Sequence, residues 1–403
     1  MTAFDVAALR AEFPVLAGTS RGKPLVYLDS AATSQKPQVV IDAIRDFYAH
    51  DNANIHRGVY ELSERATAAW DAAREIAARF LGGVPAEEVV FVRGTTEAIN
   101  LVARAFLGPR LDPGNHVLVT TMEHHANIVP WQLAGAITVP IPLTDRDELD
   151  LDVARSLLAR RPRLLALTHI SNVLGTINPV AQLTAMAHEH GVPVLIDGAQ
   201  AAPHVMLDIP ALGCDFYCFS GHKVFGPTGI GVLWAREKHL AAMPPWQGGG
   251  DMIDHVTFEN TTFAPPPTRF EAGTPHIAGA VGLATALEWL MRQDRVAIQH
   301  HEQQLLDRAR SELSGLPGVE LFGRASDRAA VIPFIVDGVH PHDLASLLDQ
   351  DGVCIRAGHH CTQPLHRHLG VTATARASIG PYTTQADITT LAAAVQRAQE
   401  VFA

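Results

Sequence analysis

"DFYCFSGHKVFGPTG", residues 215–229, joins an apolar, aromatic run to a single lysine and then to a turn rich in glycine and proline. The run "DFYCFS" predicts a buried strand, and Lys223 follows three residues after its last residue. Lysine is among the residues least often buried without a partner. A lysine at the end of a buried strand therefore indicates a position with a chemical role.

The chain on both sides of this stretch alternates helical patterns with short apolar runs, from about residue 38 to residue 235. Ser63 is a possible N-cap of the second predicted helix. Strands that are apolar on both faces and separated by helices predict a mainly parallel sheet covered by helices. The predicted fold class is α/β, with a three-layer large domain whose strands read "EVVFV", "HVLVT", "ITVPI", "LLALTHI", "PVLID", "DFYCFS" and "GIGVLW".

The pattern changes after the helical stretch "HIAGAVGLATALEWLMRQ". Strands "VELFG", "AAVIPFIV" and "VCIRAG" precede "TARASI" and a final helix, which predicts a smaller α+β domain. We place the large domain at 25–292 and the small C-terminal domain at 293–403. Residues 1–24 are expected to pack with the small domain.

Composition narrows the class of function. The 403 residues are 47% hydrophobic and 18% charged, which suits a folded chain, and the formal net charge of -11 argues against binding to nucleic acid or to an anionic membrane. The first residues lack the apolar core of a signal peptide, and no apolar run approaches the ~20 residues needed to span a bilayer. We expect a cytoplasmic protein that acts on a small molecule, with its four cysteines as thiols.

Polar side chains follow several of the predicted strands. Asp197 ends "VLID" with Gln200 close behind, and Asn172 follows "LLALTHI". Ligands of an open parallel sheet bind at the carboxyl ends of its strands, where these side chains should meet. Other candidates at strand ends are Thr95 and Thr96 after "EVVFV" and His124 after "HVLVT".

One ligand, pyridoxal phosphate, explains these residues together. A desolvated Lys223 amine can hold its aldehyde as a Schiff base, and the Asp197 carboxylate can keep its ring nitrogen protonated. The amides and hydroxyls that open a helix at Thr95 suit the phosphate, and a flat imidazole such as His124 can stack on the ring. Each residue alone also has a structural explanation: a cap or turn for the aspartate and threonines, a solvent-reaching lysine and a satisfied loop histidine.

The segment "IRAGHHCTQPLHRH", residues 355–368, contains a cysteine of a different kind. Cys361 lies in a polar loop beside imidazoles that favour its nucleophilic thiolate form, whereas Cys214, Cys218 and Cys354 fit packing positions. A metal site is the alternative, since the segment offers the possible zinc ligands His359, His360, Cys361, His366 and His368. The sequence has no Cys-x-x-Cys pair that would support a closed structural zinc site.

The motifs "SGHKVFGPTGIG", "DGAQ", "RGTTEAINLV", "MEHHANIVPW", "SNVLGTINP", "RFEAGTP" and "RAGHHC" resemble those of the SufS-type cysteine desulfurases in the class V aminotransferase group. The resemblance implies the fold-type I pyridoxal phosphate architecture and a homodimer. It also implies an activity that takes sulfur from L-cysteine, leaves L-alanine and forms an enzyme persulfide for iron–sulfur cluster assembly.

The resemblance implies roles for single residues. Lys223 matches the Schiff-base lysine, Cys361 the persulfide carrier and His124 the stacking catalytic imidazole. The remaining cofactor contacts would be Asp197 at the ring nitrogen, Gln200 at the ring oxygen, Thr96, Ser220 and His222 at the phosphate with Thr95 close by, and Thr274 donated by the other subunit. The substrate contacts would be Arg376 at the carboxylate, Asn172 beside it, and His56 and Arg57 near the dimer interface.

The resemblance does not determine which protein accepts the sulfur, or whether the substrate is cysteine or selenocysteine. "HPHD" at 340–343 resembles the branch that hands sulfur to a zinc-containing SufU-like protein, where His342 would become a zinc ligand; a SufE-like acceptor is the alternative. We expect no resident metal. Selenocysteine lyase is the nearest rival activity. A non-catalytic zinc-binding interaction protein would use the His/Cys loop but gives no reason for Lys223 and Asp197.

Overall fold

A computed structural model describes residues 4–112 and 114–402 of the chain. Residues 1–3 of the predicted N-terminal segment and the final residue of the predicted small domain lie outside the described residues. Within the described ranges, no helix combines the length and the apolar composition that crossing a bilayer requires.

The large sheet has seven strands over the described residues, in the spatial order β1-β7-β6-β5-β4-β2-β3. Their bounds are β1 Val89–Val92, β2 His116–Thr120, β3 Ile137–Ile141, β4 Leu164–Thr168, β5 Val194–Asp197, β6 Phe216–Ser220 and β7 Gly231–Ala235. β7 is antiparallel to both of its neighbours, and the other pairs are parallel. The strands predicted from the sequence are all confirmed.

Apolar side chains on both faces of the sheet make it the middle of three layers. Along β6, Tyr217 and Phe219 pack into one apolar cluster, and Phe216 and Cys218 pack into another. This alternation follows from the two-residue period of a strand. Helices cover both faces: Gln38–Asp46, Glu61–Phe80, Thr95–Leu101, Val129–Leu133, Leu151–Leu158, Val180–Glu189, Ala201–His204, Ile209–Leu212, Glu237–Ala242 and Ile277–Arg292.

A second, antiparallel sheet lies in the C-terminal part of the chain, in the order β8-β9-β11-β10, with β8 Val319–Leu321, β9 Val331–Val336, β10 Arg356–Gly358 and β11 Thr374–Ser378. Its own apolar cluster includes Leu305, Phe334 and Leu391. The α/β fold class with a smaller α+β part is confirmed. The accompanying helices are Arg295–Ser314, Pro341–Gln350, Gln363–His368 and Gln385–Phe402.

The N-terminal segment contacts both parts of the chain. It contains the helix Val6–Ala11, and Arg10 donates to the carbonyl oxygen of Tyr382 at 2.9 Å and pairs with Asp387 at 3.1 Å. Phe13 packs edge-on against Trp289 of the large-domain helix. We retain the division at 292/293 as a proposal.

Three short strand pairs lie outside the two main sheets. Val26–Tyr27 pairs in parallel with Val353–Cys354, which ties the start of the predicted large domain to the C-terminal part. The other pairs are Thr19–Ser20 with Lys23–Pro24 and Ile253–Val256 with Thr261–Phe263.

The prediction of an N-cap at Ser63 is wrong. The helix begins at Glu61 after Tyr60, and Ser63 is buried inside its first turn. The Ser63 hydroxyl donates to the carbonyl oxygen of Asn54 at 2.8 Å. A tertiary contact with the preceding loop, which the local pattern did not show, therefore fixes the start of this helix.

Candidate active site

A cavity of about 200 Å³ lies where the parallel strands of the large sheet end. It is bounded by the residues after β1 and β2, by the last residues of β4, β5 and β6, and by residues 359–362, the Cys361 loop. Most of the residues named from the sequence line it: Thr95, Thr96, His124, Asn172, Asp197, Gln200, Ser220, His222, Lys223, Cys361 and Arg376.

Lys223, which is half-buried, and Asp197, which is buried, both lie on the wall of this cavity. Burial lowers the pKa of Lys223 to about 8, and the opposing charge of Asp197 limits the decrease. Burial raises the pKa of Asp197, whereas the amide of Ala199, which donates to Oδ1 at 2.9 Å, and the Lys223 cation lower it. The lysine is therefore partly neutral, and nucleophilic, near physiological pH.

Hydroxyl groups gather at the start of the helix Thr95–Leu101. The backbone amide of Thr95 donates to Ser220 Oγ at 2.9 Å, and the two hydroxyl oxygens also lie 2.9 Å apart. Thr96 is exposed on the same helical turn. Elsewhere on the wall, Gln200 is anchored by a 2.7 Å hydrogen bond from Nε2 to the carbonyl oxygen of Ala31.

Two imidazoles on the cavity wall are held in the neutral form. Burial and the Lys223 cation lower the pKa of His124 to about 4 and that of His222 to about 4. His124 Nδ1 accepts the amide of Ala126 at 3.0 Å, so the proton of the neutral ring is on Nε2. His124 is therefore a hydrogen-bond donor through Nε2.

Arg376 is the buried cation of the site. Its Nη1 donates to the carbonyl oxygen of Asn172 at 2.9 Å, and its Nη2 pairs with Asp29 Oδ1 at 3.1 Å. The other Asp29 oxygen lies 3.3 Å from Nε of Arg356, so one carboxylate serves two guanidinium groups. Arg376 Nε is buried without a hydrogen-bond partner among the described residues. An anionic ligand would satisfy this remaining donor.

Cys361 is exposed and lines the cavity at its open side. Two of the imidazoles considered as metal ligands are hydrogen-bonded within the protein. Nε2 of His360 and Nε2 of His366 lie 3.1 and 3.2 Å from the hydroxyl oxygen of Thr374. Across residues 4–112 and 114–402, no group of three or more His, Cys, Asp or Glu side chains is arranged to hold a metal ion.

Four of the named residues lie away from Lys223 within this chain. Thr274 is exposed and lines a separate cavity of about 440 Å³ beside Trp70 and Trp246. His56 and Arg57 are exposed, and Nε of Arg57 lies 3.5 Å from Oδ1 of Asp251. His342 is exposed at the start of the helix Pro341–Gln350.

The sequence reasoning did not assign Arg356 or Thr168 to the site, although both line the cavity. Arg356 has no local signal in the sequence, because its place in the cavity follows from the antiparallel pairing of β10 with β11, which sets it directly opposite Arg376. Thr168 is the last residue of β4 and lies inside the apolar run "LLALTHI", where it was interpreted as part of the strand.

Comparison with known proteins agrees with this geometry. Residues 26–391 match the family described as aminotransferase class-V. A "Probable cysteine desulfurase 1" of Mycobacterium leprae is 50% identical over 98% of this chain, and a "Probable cysteine desulfurase" of Xylella fastidiosa is 48% identical over 99%. The chain spans 66% of the length of the first protein and 97% of the second.

Solved structures give the same result. The cysteine desulfurase CsdA from Escherichia coli is 42% identical to this chain and superposes with a TM-score of 0.93. The match covers 100% of both chains. A cysteine desulfurase from Thermococcus onnurineus is 35% identical with a TM-score of 0.93, over 98% of this chain and 99% of that one. The chain therefore belongs to the class V aminotransferase family of pyridoxal phosphate enzymes and, within it, to the cysteine desulfurases.

Proposed function

We propose that this chain converts L-cysteine to L-alanine and leaves the sulfur as a persulfide on Cys361. The observation that supports this activity most strongly is the composition of one cavity. It combines the amine of Lys223, the carboxylate of Asp197, the guanidinium of Arg376 with its unpartnered Nε, and the exposed thiol of Cys361.

The donor set fits pyridoxal phosphate. Lys223 offers an amine for its aldehyde, and Asp197 Oδ2 receives no hydrogen bond from the described residues, which leaves it available to the pyridine nitrogen. The hydroxyls of Ser220, Thr95 and Thr96 and the imidazole of His222 suit the phosphate, Gln200 suits the ring oxygen and His124 suits the ring face. When bound, the cofactor supplies an electron-accepting ring that stores the charge left when a substrate loses its Cα proton.

Arg376 is positioned to hold the substrate carboxylate. Asp29 and the carbonyl oxygen of Asn172 fix the orientation of the guanidinium, while its buried Nε keeps a free donor. A planar guanidinium binds a carboxylate through two parallel hydrogen bonds, which a lysine ammonium does not reproduce. Holding the carboxylate in this way fixes the position of the substrate Cα and Cβ relative to Lys223.

Lys223 and His124 handle protons. A lysine with a pKa near 8 can remove the Cα proton in its neutral form and return a proton in its charged form. His124 carries its proton on Nε2 and remains neutral, which provides a second donor on the cavity wall.

Cys361 takes the sulfur. Its thiolate forms an S–S bond with the substrate sulfur as the substrate Cβ–S bond breaks, and the electron pair of that bond passes to the three-carbon fragment. Protonation of this fragment gives L-alanine. One L-cysteine and one enzyme thiol thus become one L-alanine and one enzyme persulfide, with no external oxidant or reductant.

The remaining parts of the proposal concern partners. We infer a cytoplasmic homodimer in which Thr274 reaches the phosphate of the other subunit and His56 and Arg57 lie near the interface; the exposure of all three residues supports this. We also infer that the persulfide sulfur passes to a SufU-like acceptor, with His342 as the zinc ligand, or to a SufE-like acceptor, for iron–sulfur cluster assembly. Sulfur transfer measured separately with each type of acceptor distinguishes the two.

A test of the activity compares the holoprotein with Cys361→Ser. We expect the wild type to release one L-alanine per persulfide formed, and the variant to keep the cofactor absorbance but release no L-alanine above background. Cys354→Ser is the control, because Cys354 lies outside the cavity. L-Alanine production by Cys361→Ser at the wild-type rate would refute the role of Cys361. Relative rates on L-cysteine and selenocysteine separate desulfurase from selenocysteine lyase activity.

A further inference from the structure

The Cys361 loop has an unusual backbone. His360 and Cys361 have φ angles of 48° and 58°, so two consecutive residues other than glycine adopt the left-handed conformation. This conformation is unfavourable for residues with a Cβ and persists only where surrounding contacts hold it. The loop therefore depends on its contacts with the rest of the protein.

His125 supplies two of these contacts. Its backbone amide donates to the carbonyl oxygen of Cys361 at 2.7 Å, and its side-chain Nε2 accepts the backbone amide of Gln363 at 3.1 Å. One residue of the large domain thus binds the loop on both sides of Thr362. Further contacts come from Asn172 Nδ2, 2.9 Å from the carbonyl oxygen of His360, and from His359 Nδ1, which accepts the amide of Cys361 at 3.2 Å.

The side-chain contact of His125 satisfies a free amide at the start of a helix. Gln363 begins the helix Gln363–His368, and its amide is one of the first four in a helix that have no partner inside it. Thr362 occupies the N-cap position but makes no capping hydrogen bond, because its hydroxyl donates to the carbonyl oxygen of His359 at 2.9 Å. The imidazole of His125 therefore satisfies an amide that the N-cap residue of this helix leaves free.

The neighbouring residues His124 and His125 have opposite tautomers, because each accepts a backbone amide through a different ring nitrogen. His124, which lines the cavity, accepts the Ala126 amide through Nδ1 and keeps its proton on Nε2. His125 accepts through Nε2 and so carries its proton on Nδ1. Burial and the nearby His359 lower the pKa of His125, which favours the neutral form that can accept.

We propose that His125 is a positioning residue that holds the Cys361 thiol in the orientation for attack on the substrate sulfur, by accepting the Gln363 amide and fixing the strained loop. This proposal rests on the proposed function. His125 takes no part in binding the cofactor or in removing the Cα proton. Its loss should slow sulfur transfer to Cys361 and leave the steps before it unchanged.

The test uses His125→Ala and His125→Gln in the holoenzyme, with His116→Ala, at an exposed histidine on β2, as the matched control. Glutamine places an acceptor oxygen near the position of Nε2, whereas alanine provides none. One readout is the single-turnover rate of persulfide formation on Cys361. The other is deuterium exchange at Cα of L-alanine, which needs the cofactor site but no sulfur nucleophile.

We expect His125→Ala to slow persulfide formation by roughly three- to tenfold, the effect of losing one neutral hydrogen bond. Cα exchange and the cofactor absorbance should stay at the wild-type level, and His125→Gln should recover persulfide formation to within about twofold of wild type. An unchanged rate in His125→Ala, a parallel loss of Cα exchange, or no recovery in His125→Gln would each overturn the proposal. A wild-type protein that forms no persulfide would instead reject the proposed function.

Discussion

Lys223 is the residue on which the proposed chemistry of the site depends, and its environment sets the pH at which its amine becomes neutral. Burial lowers its pKa to about 8, so the neutral amine increases from about a tenth of the molecules at pH 7 to about nine tenths at pH 9. Only the neutral amine attacks an aldehyde. The cavity therefore activates this lysine before any ligand binds.

A pH profile of cofactor uptake tests this activation. We expect the rate at which cofactor-free protein binds pyridoxal phosphate covalently to increase about tenfold between pH 7 and pH 9 and then to level off. Stopped-flow absorbance measures this rate. A rise centred near the ordinary lysine pKa would show that Lys223 is not activated.

At the residue scale, sequence reasoning succeeded where a side chain follows a strand directly. Asp197 and Lys223 could be located because the end of an apolar run fixes the edge of the sheet at which they lie, whereas Ser220 was assigned only through the family resemblance. Arg356 was missed because its place in the cavity depends on pairing between β10 and β11, which are separated along the chain. The tie between His125 and Gln363 was not predictable either, since it joins parts of the chain 238 residues apart.

Among the elements, β7 packs against the turn that we propose binds the cofactor phosphate. Gly231 begins this antiparallel strand and packs against the turn that leads into Thr95. A Cβ at Gly231 would lie 2.6 Å from the carbonyl oxygen of Phe219 and 2.7 Å from Cα of Gly94. Both neighbours are backbone atoms that cannot rotate away.

Gly231→Ala is therefore expected to destabilise the fold by about 1–3 kcal/mol through overpacking, and to weaken cofactor binding by displacing the Gly94–Thr95 turn. Urea unfolding and cofactor titration measure the two effects. Gly248→Ala is the control, because a Cβ there has no neighbour within 4 Å, and we expect it to change stability by less than about 0.5 kcal/mol. Equal stability of the two variants would contradict the proposed close packing at Gly231.

Element types were predictable because strand and helix periods differ, and both faces of the sheet are apolar. Element starts were less predictable, as Ser63 shows: its hydroxyl donates to the carbonyl oxygen of Asn54 in the preceding loop and does not cap the first turn of its own helix. Such starts depend on tertiary contacts that no local pattern contains.

The whole molecule builds its site from two parts of the chain. The large sheet supplies Lys223 and Asp197, whereas Cys361 and Arg376 come from the C-terminal part. The parallel pairing of Val26–Tyr27 with Val353–Cys354 joins the start of one part to the other, which composition alone could not show. The residues that we propose hold the cofactor and take the sulfur therefore come together only when both parts have folded.

The central claim is that Lys223, and no other lysine, holds the cofactor beside Asp197. Lys36 is the demanding comparison, because burial lowers its pKa to about 8 as well and its Nζ lies 2.9 Å from the carbonyl oxygen of His222. Borohydride reduction of the loaded protein makes the covalent bond to the cofactor permanent, and peptide mass spectrometry then locates it. The account predicts one cofactor mass per chain, on the peptide that contains Lys223; a cofactor mass on Lys36, or on no lysine at all, would contradict it.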